Sequence, residues 1–368
     1  MAGSMCRWGI LSTATIARKN WQSIANSGNG CVTAVASRSE EKAQQFIDDC
    51  QSSVPVPQKV EAVGSYEELL QREDVDAVYV PLPTAIRAEW VIRAANAGKH
   101  VMVEKPCGIH VDDVQAMVDA CQKNGVQFMD GVMFMHSARM PEIRRVLDDG
   151  SSIGQLRRIA TQFSFCADDA WVKDNIRASS NLEPAGCLGD LGWYTIRMIL
   201  FVMNYEMPKT VRGHILNAVQ RQDSPESVPM EFQAEMHFEN GVSAVMYNSF
   251  RTNHQQWINV SGTAGYLTVS DFVLPSVGNE VAFDVVRNDF QVDGCRFDME
   301  HYPRRVAVPE FSNNHVSAQE TVLFRRFSEL ALSGNTDSFW PEVSLKTQRV
   351  LDAVLESAQN GSEMLTLS

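Results

Sequence analysis

The sequence predicts two successive architectures: a doubly wound parallel α/β sheet, then an α+β domain built on a large, mostly antiparallel open sheet. In residues 1–135, short apolar runs alternate with segments of helical periodicity, which is typical of parallel strands joined by right-handed crossovers. After about residue 150 the segments lengthen, and apolar and polar residues alternate as in antiparallel strands. The length of 368 residues also indicates two domains.

The first half is predicted to contain strands and helices in strict alternation. The predicted strands are 7–11, 31–37, 59–63, 77–80, 100–104 and 127–130. The predicted helices are 15–27, 40–50, 66–70, 87–97 and 111–124. Ligands of such sheets bind beyond the carboxyl ends of the strands, so functional residues are expected there.

The second half, residues 136–368, is predicted to be a separate domain. Its predicted strands are 155–165, 230–238, 243–250 and 257–269, with Glu239-Asn240-Gly241 as a hairpin turn. Helices are predicted at 188–203 and 344–359, and the last of these is a candidate to pack back on the first domain. Segments 166–183 and 271–310 are expected to be loops that shape the pocket.

Composition excludes several classes of protein. The chain is 44% hydrophobic and 21% charged, and its net charge of -13 argues against binding nucleic acid, which needs a basic surface. Eight cysteines without C-x-x-C spacing predict neither zinc binding nor a redox pair and fit a reducing compartment. Apolar runs such as 198–203 are far shorter than the ~20 residues of a membrane helix. With no signal peptide in the first residues, we expect a cytoplasmic protein without a membrane anchor.

The turn after the first predicted strand is a candidate phosphate-binding turn. Residues 12–17 read S-x-A-x-x-A, with small residues where a Rossmann-type dinucleotide fold has G-x-G-x-x-G/A. Small side chains allow a pyrophosphate to approach the amides of a helix N-terminus. The candidate cofactor residues here are Ser12, Thr13, Ala14 and Ile16. An ordinary strand-to-helix turn of a parallel fold is the alternative.

The end of the second predicted strand favours NADP over NAD. A carboxylate there would accept the ribose hydroxyls of NAD and repel the extra phosphate of NADP. The sequence has Ser37 and Arg38 instead, with Lys42 one helical turn later. A hydroxyl and a guanidinium suit a phosphate, so NADP is the predicted cofactor and NAD the second choice. The alternative is that Arg38 only caps a surface loop.

Several segments together resemble one family of oxidoreductases. They read SYEELL at 65–70, AVYVPLPT at 77–84, AGKHVMVEKP at 97–106, MDGVM at 129–133 and GCLGDLGWY at 186–194. These residues resemble the glucose-fructose oxidoreductase, inositol dehydrogenase and MocA family, in which E-K-P ends the fifth strand of the nucleotide domain. Trp340-Pro341 and the final helix are similar to the branch containing dimeric dihydrodiol dehydrogenase and xylose dehydrogenases.

The resemblance implies that Lys105 and Tyr194 face the reacting carbon, with Asp190 one helical turn before Tyr194. Oxidising a secondary alcohol requires a proton acceptor within hydrogen-bond reach as the hydride leaves. Tyrosine is a poor base at its ordinary pKa of about 10, and a nearby ammonium favours its phenolate. The resemblance also implies cofactor contacts from Pro81, Leu82, Pro83, Arg87, Glu104 and Lys105. Many relatives have histidine where this chain has Arg87, which is either a cofactor or substrate ligand or a residue of the helix surface.

Substrate-facing positions of the family correspond here to Phe134, His136, Phe165, Trp171, Arg177 and Tyr194. Aromatic rings beside a few polar groups suit a sugar or a cyclic alcohol. Structural packing is the alternative, above all for Phe134 and Phe165. His136 has no second metal ligand at suitable spacing, so no metal is predicted.

The sequence therefore predicts an NADP-dependent dehydrogenase or reductase acting on the CH–OH or C=O group of a sugar, a sugar derivative or a cyclic trans-diol. Two alternatives remain open: a non-catalytic binding protein that senses the nucleotide, and a redox-neutral glycosidase that uses nicotinamide transiently. We also expect a homodimer formed through the second sheet, whose outer face would carry Val242, Ala244 and Met246 or the residues alternating with them.

Overall fold

A computed structural model describes residues 5–367 of the chain, which form two compact units. The first unit comprises residues 5–136, 181–183 and 311–349. The second unit comprises residues 137–180, 184–310 and 350–367. Each unit is therefore assembled from separate stretches of sequence.

The first unit contains the predicted parallel sheet. Its strands are β1 (Cys6–Leu11), β2 (Gly30–Ala36), β3 (Glu61–Val63), β4 (Ala77–Val80), β5 (His100–Val103) and β6 (Phe128–Asp130). Their order is β3-β2-β1-β4-β5-β6, and every paired neighbour is parallel. The helices between them are α1 (Thr15–Asn26), α2 (Glu40–Ser53), α3 (Tyr66–Leu70), α4 (Thr84–Asn96) and α5 (Val111–Lys123). This is the Rossmann-type order, so the predicted fold class is confirmed.

The second unit is built on a mixed sheet. Its described strands are β7 (Leu156–Cys166), β8 (Thr210–Val219), β9 (Val228–His237), β10 (Ser243–Ser249), β11 (Arg251–Gly262), β12 (Tyr266–Val269), β13 (Glu280–Asp293), β14 (Arg296–Pro309) and β15 (Leu365–Thr366). Their order in the sheet is β14-β13-β12-β11-β7-β10-β9-β8-β15. The described neighbours pair antiparallel except β7 and β10, which are parallel. The helices are α6 (Arg139–Asp148), α7 (Asp169–Asp174) and α8 (Trp193–Val202), and a π-helical turn at Leu188–Gly192 leads into α8.

Some predicted elements of the second half were wrong. The single strand at 257–269 is two strands, because the chain turns between Gly262 and Gly265, where nearby backbone carbonyls leave no room for a Cβ. The loop at 271–310 is largely the hairpin of β13 and β14, and the loop at 166–183 contains α7. The hairpin turn at 239–241 is confirmed, with Gly241 at a φ of +82° joining antiparallel strands.

Of the two alternating sets of residues predicted for the outer face of the second sheet, the structure excludes the first. Val242, Ala244 and Met246 are buried, because the sheet turns this face toward α8. The alternating residues Val245 and Tyr247 point the other way and are partly exposed. This second surface is called the open face below.

The chain after residue 310 returns to the first unit before it ends in the second. Helix α9 (Gln319–Ser333) and the first part of α10 (Phe339–Gln359) belong to the first unit. The buried indole of Trp8 on β1 donates to the Ser328 hydroxyl at 3.1 Å and packs on Phe324 and Phe327 with ring centroids 5.2 and 5.0 Å away. The core of the parallel sheet is thus completed by residues more than 300 positions away in sequence.

Within the described residues, no helix is both long enough and apolar enough to cross a membrane.

Candidate active site

The carboxyl ends of the parallel strands bring the predicted cofactor residues of the first unit to one edge of the sheet. Ser12 follows β1, Ser37 and Arg38 follow β2, Pro81 follows β4, and the Glu104-Lys105 pair follows β5. Parallel strands end on the same side, so these positions share the ligand-binding edge of the fold.

The turn between β1 and α1 has the features of a phosphate cradle. Ser12 has a φ of +130°, and its hydroxyl oxygen accepts the Ala14 N–H at 3.0 Å. Helix α1 begins after Ala14, which provides no side-chain cap, and Thr13 is half-buried while Ile16 is exposed. The first amides of a helix without such a cap are available to an anion. The geometry therefore fits a dinucleotide pyrophosphate without glycine in the turn.

Two cations lie beyond β2. The Ser37 amide donates to the Val63 carbonyl at 3.1 Å, which fixes the end of the strand and buries Ser37. Arg38 is exposed, and Lys42 is exposed in the first turn of α2. Burial raises the pKa of the Tyr66 phenol, and the charge of Arg38 partly opposes this rise, so Arg38 and Tyr66 interact across the strand end. A phosphate at this position would find both a hydroxyl and positive charge.

A buried hydrogen-bond chain fixes Glu104, the residue before Lys105. The Asn20 amide donates to the Tyr79 hydroxyl at 2.6 Å, and this hydroxyl donates to Glu104 Oε1 at 2.5 Å. Glu104 Oε2 in turn accepts the Lys105 N–H at 3.3 Å. Burial and the neighbouring Glu104 charge raise the pKa of Tyr79 well above its ordinary value, so Tyr79 remains a donor. A Cβ at Gly131 would lie only 3.2 Å from Glu104 Oε1, so glycine leaves room for this carboxylate.

Arg87 is buried rather than on the helix surface, which corrects one of the two interpretations given for it. Its guanidinium donates to the carbonyl of Leu82 at 2.6 Å, to the hydroxyl of Thr84 at 3.0 Å and to the carbonyl of Pro106. The Lys105-Pro106 peptide is cis. Arg87 therefore ties the turn after β4 to the turn that carries Lys105.

A carboxylate supports the same corner of the first unit. Glu183 accepts the Thr84 N–H at 3.0 Å and the Thr84 hydroxyl at 2.6 Å. Both interactions satisfy groups at the start of α4, where unmatched amides favour a negative charge. Thr84 and Glu183 therefore belong to the same buried network as Arg87.

In the second unit, Asp190 and Tyr194 lie on the π-helical turn and the start of α8. Asp190 Oδ1 forms an ion pair with Arg177 Nε at 2.9 Å. The Tyr194 ring is 7% exposed and meets the Phe163 ring edge to face, with centroids 5.6 Å apart. The structure thus brings Arg177 to Asp190 and fixes the Tyr194 ring against β7.

Phe165 and Trp171 form an aromatic cluster with Phe250. The Phe165 and Trp171 centroids are 5.5 Å apart, and each lies 5.0 Å from that of Phe250. Phe250 is fully buried, whereas Phe165 and Trp171 are partly exposed. Partly exposed rings on a rigid base can stack on a ligand ring.

The other two predicted substrate residues lie in the first unit and are buried. Phe134 is fully buried, and His136 stacks on Trp340 with ring centroids 4.7 Å apart. Both lie on the 3-10 helix Met133–His136. In the described part of the chain, no three His, Cys, Asp or Glu side chains are grouped to hold a metal ion.

Sequence reasoning missed Asn20, Tyr79, Thr84, Glu183 and Phe250. The sequence alone could have indicated a hydrogen bond of Tyr79, because a hydroxyl within the apolar strand A-V-Y-V must find a buried partner. Nothing in the local sequence could have indicated the role of Glu183, since it lies 99 positions from Thr84, which it contacts.

The fold and the side chains at its strand ends define an NAD(P)-dependent oxidoreductase. Residues 6–132 match the model of an oxidoreductase family with an NAD-binding Rossmann fold, and residues 140–268 match the GFO/IDH/MocA C-terminal domain. The chain belongs to the glucose-fructose oxidoreductase, inositol dehydrogenase and MocA family. The resemblance seen in the sequence is confirmed.

Relatives of the chain are named as reductases and dehydrogenases. A dTDP-3,4-didehydro-2,6-dideoxy-alpha-D-glucose 3-reductase of Streptomyces violaceoruber is 32% identical over 285 residues, which cover 77% of this chain and 78% of that protein. D-xylose 1-dehydrogenase (NADP(+)) 2 of Haloferax volcanii is 28% identical over 357 residues, which cover 96% and 98%. The crystal structure of KijD10, a 3-ketoreductase from Actinomadura kijaniata in complex with NADP and TDP-benzene, matches with a TM-score of 0.77 at 25% identity, covering 96% of this chain and 98% of that chain.

Proposed function

We propose that the protein transfers a hydride between NADP and the CH–OH or C=O group of a sugar, a sugar derivative or a cyclic trans-diol. One observation carries the proposal: the edge of the parallel sheet that holds the phosphate cradle also holds Lys105, on a turn braced by Arg87 and Glu104. A cation on this turn would polarise a substrate oxygen beside the cofactor. The names of the relatives support the same substrate class.

The preference for NADP rests on the end of β2. Ser37 is buried at the strand end, while Arg38 and Lys42 present positive charge there. A guanidinium can bind the 2′-phosphate through two parallel hydrogen bonds, which NAD cannot form. The NADP named for the xylose dehydrogenase and bound in the 3-ketoreductase structure supports this assignment.

In the proposed mechanism the chain supplies proton transfer and charge. The residues at the ends of β1 and β2 would hold the cofactor, which would supply hydride chemistry as NADP+ in oxidation and as NADPH in reduction. Tyr194 takes the hydroxyl proton in oxidation or returns it in reduction, and Lys105 polarises the substrate oxygen and favours the tyrosinate. Asp190 is paired with Arg177, so we assign this pair the role of orienting the substrate side of the reaction.

Substrate binding is assigned to the second unit. Phe165 and Trp171 offer ring surface against which the apolar face of a sugar or cyclic diol can stack. Arg177 is 41% exposed in its side chain, so the Arg177–Asp190 pair can also meet polar substituents of the ring. Phe134 and His136 are assigned to packing because both are buried in the first unit.

We also propose that the protein is a homodimer that pairs through the open face of the second sheet. Val245 and Tyr247 on β10 and Trp257 on β11 are partly exposed on this sheet. A mixed polar and aromatic surface of this kind suits an interface between identical subunits.

A substrate screen tests the proposed activity. Aldoses, anhydrosugars, inositols, trans-dihydrodiols and nucleotide-linked ketosugars are each incubated with NADP or NAD in the appropriate oxidation state, and the absorbance of the reduced nicotinamide is followed. We expect turnover with NADP in at least one class and its loss in Tyr194→Phe. Tight NADP binding without turnover of any compound would instead favour a nucleotide-sensing binding protein.

A further inference from the structure

The hairpin of β13 and β14 projects beyond the rest of the second sheet. Strand β12 pairs with β13 only from Asp284 to Val286. Among the described residues, residues 287–293 pair only with residues 296–302. Gly294 turns the chain between them with a φ of +61°. At ~3.4 Å per residue, seven residues extend about 24 Å. This projection, residues 287–302, is called the arm.

The arm is amphipathic. On one face Phe290 lies opposite Met299, and Val292 lies opposite Phe297. These four side chains belong to residues that are 57–68% exposed, and the Phe290 and Phe297 rings stack with centroids 6.2 Å apart. The other face carries charged residues, which include the pairs Arg287–Asp289 and Arg296–Asp298, each at 3.1 Å.

The apolar face of the arm lies on the same side of the sheet as the open face. Every second residue of a strand points to the same side, so Phe290 and Val292 point to the same side of β13 as Asp284. Asp284 lies opposite Thr268, Thr268 opposite Asn259, Asn259 opposite Ala160, and Ala160 opposite Val245. Residues directly opposite in a sheet point to the same side. The open face and the apolar face of the arm therefore lie on one continuous side of the sheet.

We propose that the arm closes over a second copy of this chain, an inference that rests on the homodimer proposed above. A two-stranded hairpin alone is marginally stable in water, so its apolar face needs a cover. The four apolar side chains of one arm expose on the order of 450 Å². Two arms therefore contribute on the order of 900 Å², so the open faces need to bury only roughly 300 Å² more to reach the ~1,200–2,000 Å² range of stable interfaces.

Charge also favours an identical partner. The open face carries both signs, as in the pair of Arg212 and Glu235 at 3.5 Å, and Glu235 lies opposite Val245. A surface with both signs can match a rotated copy of itself, as a two-fold interface requires. Nucleic acid and acidic membranes are unsuitable occupants, because the chain has a net charge of -13 and the arm has more carboxylates than cations.

Sedimentation velocity on the full chain over a concentration series tests the arm. The test variant carries Phe290→Ser and Phe297→Ser. The matched control carries Gln291→Ser and Asp298→Ser, two cross-strand partners on the charged face of the same arm. We expect the dimer Kd to rise ~100-fold or more in the test variant, because four aromatic side chains leave the interface, and to stay unchanged in the control.

Three results separate the possible failures. A dimer whose Kd is the same in both variants overturns the role of the arm and leaves the homodimer intact. A wild-type chain that stays monomeric throughout the micromolar range overturns both proposals. Hydrogen exchange on the wild type gives a readout without substitution: arm amides should exchange more slowly as protein concentration rises, and exchange independent of concentration contradicts the proposal.

Discussion

The hydroxyl of Tyr79 and the carboxylate of Glu104 lie 2.5 Å apart at the ends of neighbouring strands, so the residue before Lys105 is fixed from within the core. Asn20 on α1 completes the contact from the other side at 2.6 Å. Helix α1 starts at the phosphate cradle. The same three side chains therefore connect helix α1, which follows the candidate phosphate-binding turn, with the turn that carries the proposed catalytic lysine.

Substitution Tyr79→Phe tests this connection. It removes the hydroxyl and leaves two polar side chains, Asn20 and Glu104, without that partner in a buried setting. We expect the free energy of unfolding to fall by about 1–3 kcal/mol and kcat to fall severalfold. Urea unfolding followed by tryptophan fluorescence, with kcat measured in parallel, checks both effects. Wild-type stability and turnover in this variant would show that the chain of hydrogen bonds is incidental.

Arg87→Lys tests the brace between the two strand-end turns. A lysine cannot reach the three acceptors that the planar guanidinium contacts, so the turn carrying Lys105 should lose its support. We expect kcat/KM to fall at least about tenfold, with a lower unfolding temperature. Arg93→Lys, an exposed arginine of the same helix that pairs with Glu67, is the matched control and should change neither quantity. Equal behaviour of the two variants would refute the brace.

Arg38→Ala tests cofactor choice. Removing a guanidinium that binds the 2′-phosphate should raise the Kd for NADP by roughly 10- to 100-fold and leave the Kd for NAD nearly unchanged. Isothermal titration of both cofactors measures the difference. Lys59→Ala, which removes a highly exposed cation elsewhere on the first unit, controls for the change in net charge. A parallel loss for both cofactors would rule out the assigned phosphate contact.

Tyr194→Phe tests the proton-transfer residue. We expect kcat to fall by ~10²–10⁴ while NADP affinity stays near the wild-type value. Lys105→Met should behave similarly, and the double variant should be little worse than either, because in the proposed mechanism both residues act on one proton transfer. In the oxidative direction kcat/KM should rise with pH in the wild type and lose this rise in Tyr194→Phe. Near-normal turnover with an unchanged pH profile would mean that another group is the base.

His100 predicts a specific pH dependence of stability. Its Nδ1 accepts the Gln127 N–H at 3.0 Å, and burial lowers its pKa, an effect that Asp76 partly opposes. The unfolded chain therefore binds more protons than the folded chain as pH falls below the ordinary histidine pKa of ~6.5. We expect the free energy of unfolding to decrease on acidification through this range. His100→Asn should flatten that slope, whereas His315→Asn, on an exposed residue outside the arm, should retain it.

The sequence predicted the first unit well because its strands are short apolar runs between amphipathic helices, a pattern visible within each segment. It missed the arm, although apolar and polar residues alternate at 289–293 and 296–300, because each alternating run is only five residues long. It left both faces of β10 open as the outer face because Val242, Ala244 and Met246 alternate with another partly apolar set. Strand-end positions such as Ser12 and Lys105 could be predicted from local motifs. Contacts made across the fold, such as Glu183 with Thr84, have no local signature.

The return of residues 311–349 to the first unit has a consequence for how the protein is made. Trp8 leaves the ribosome more than 300 residues before its packing partners Phe324, Phe327 and Ser328. Nascent domains usually fold in order from the N-terminus. Here the first unit can complete its core only after residues 311–349 have been synthesised, so the apolar β1 strand is accessible to chaperones until then. Genetic fragments that stop near residue 136 should yield an insoluble product.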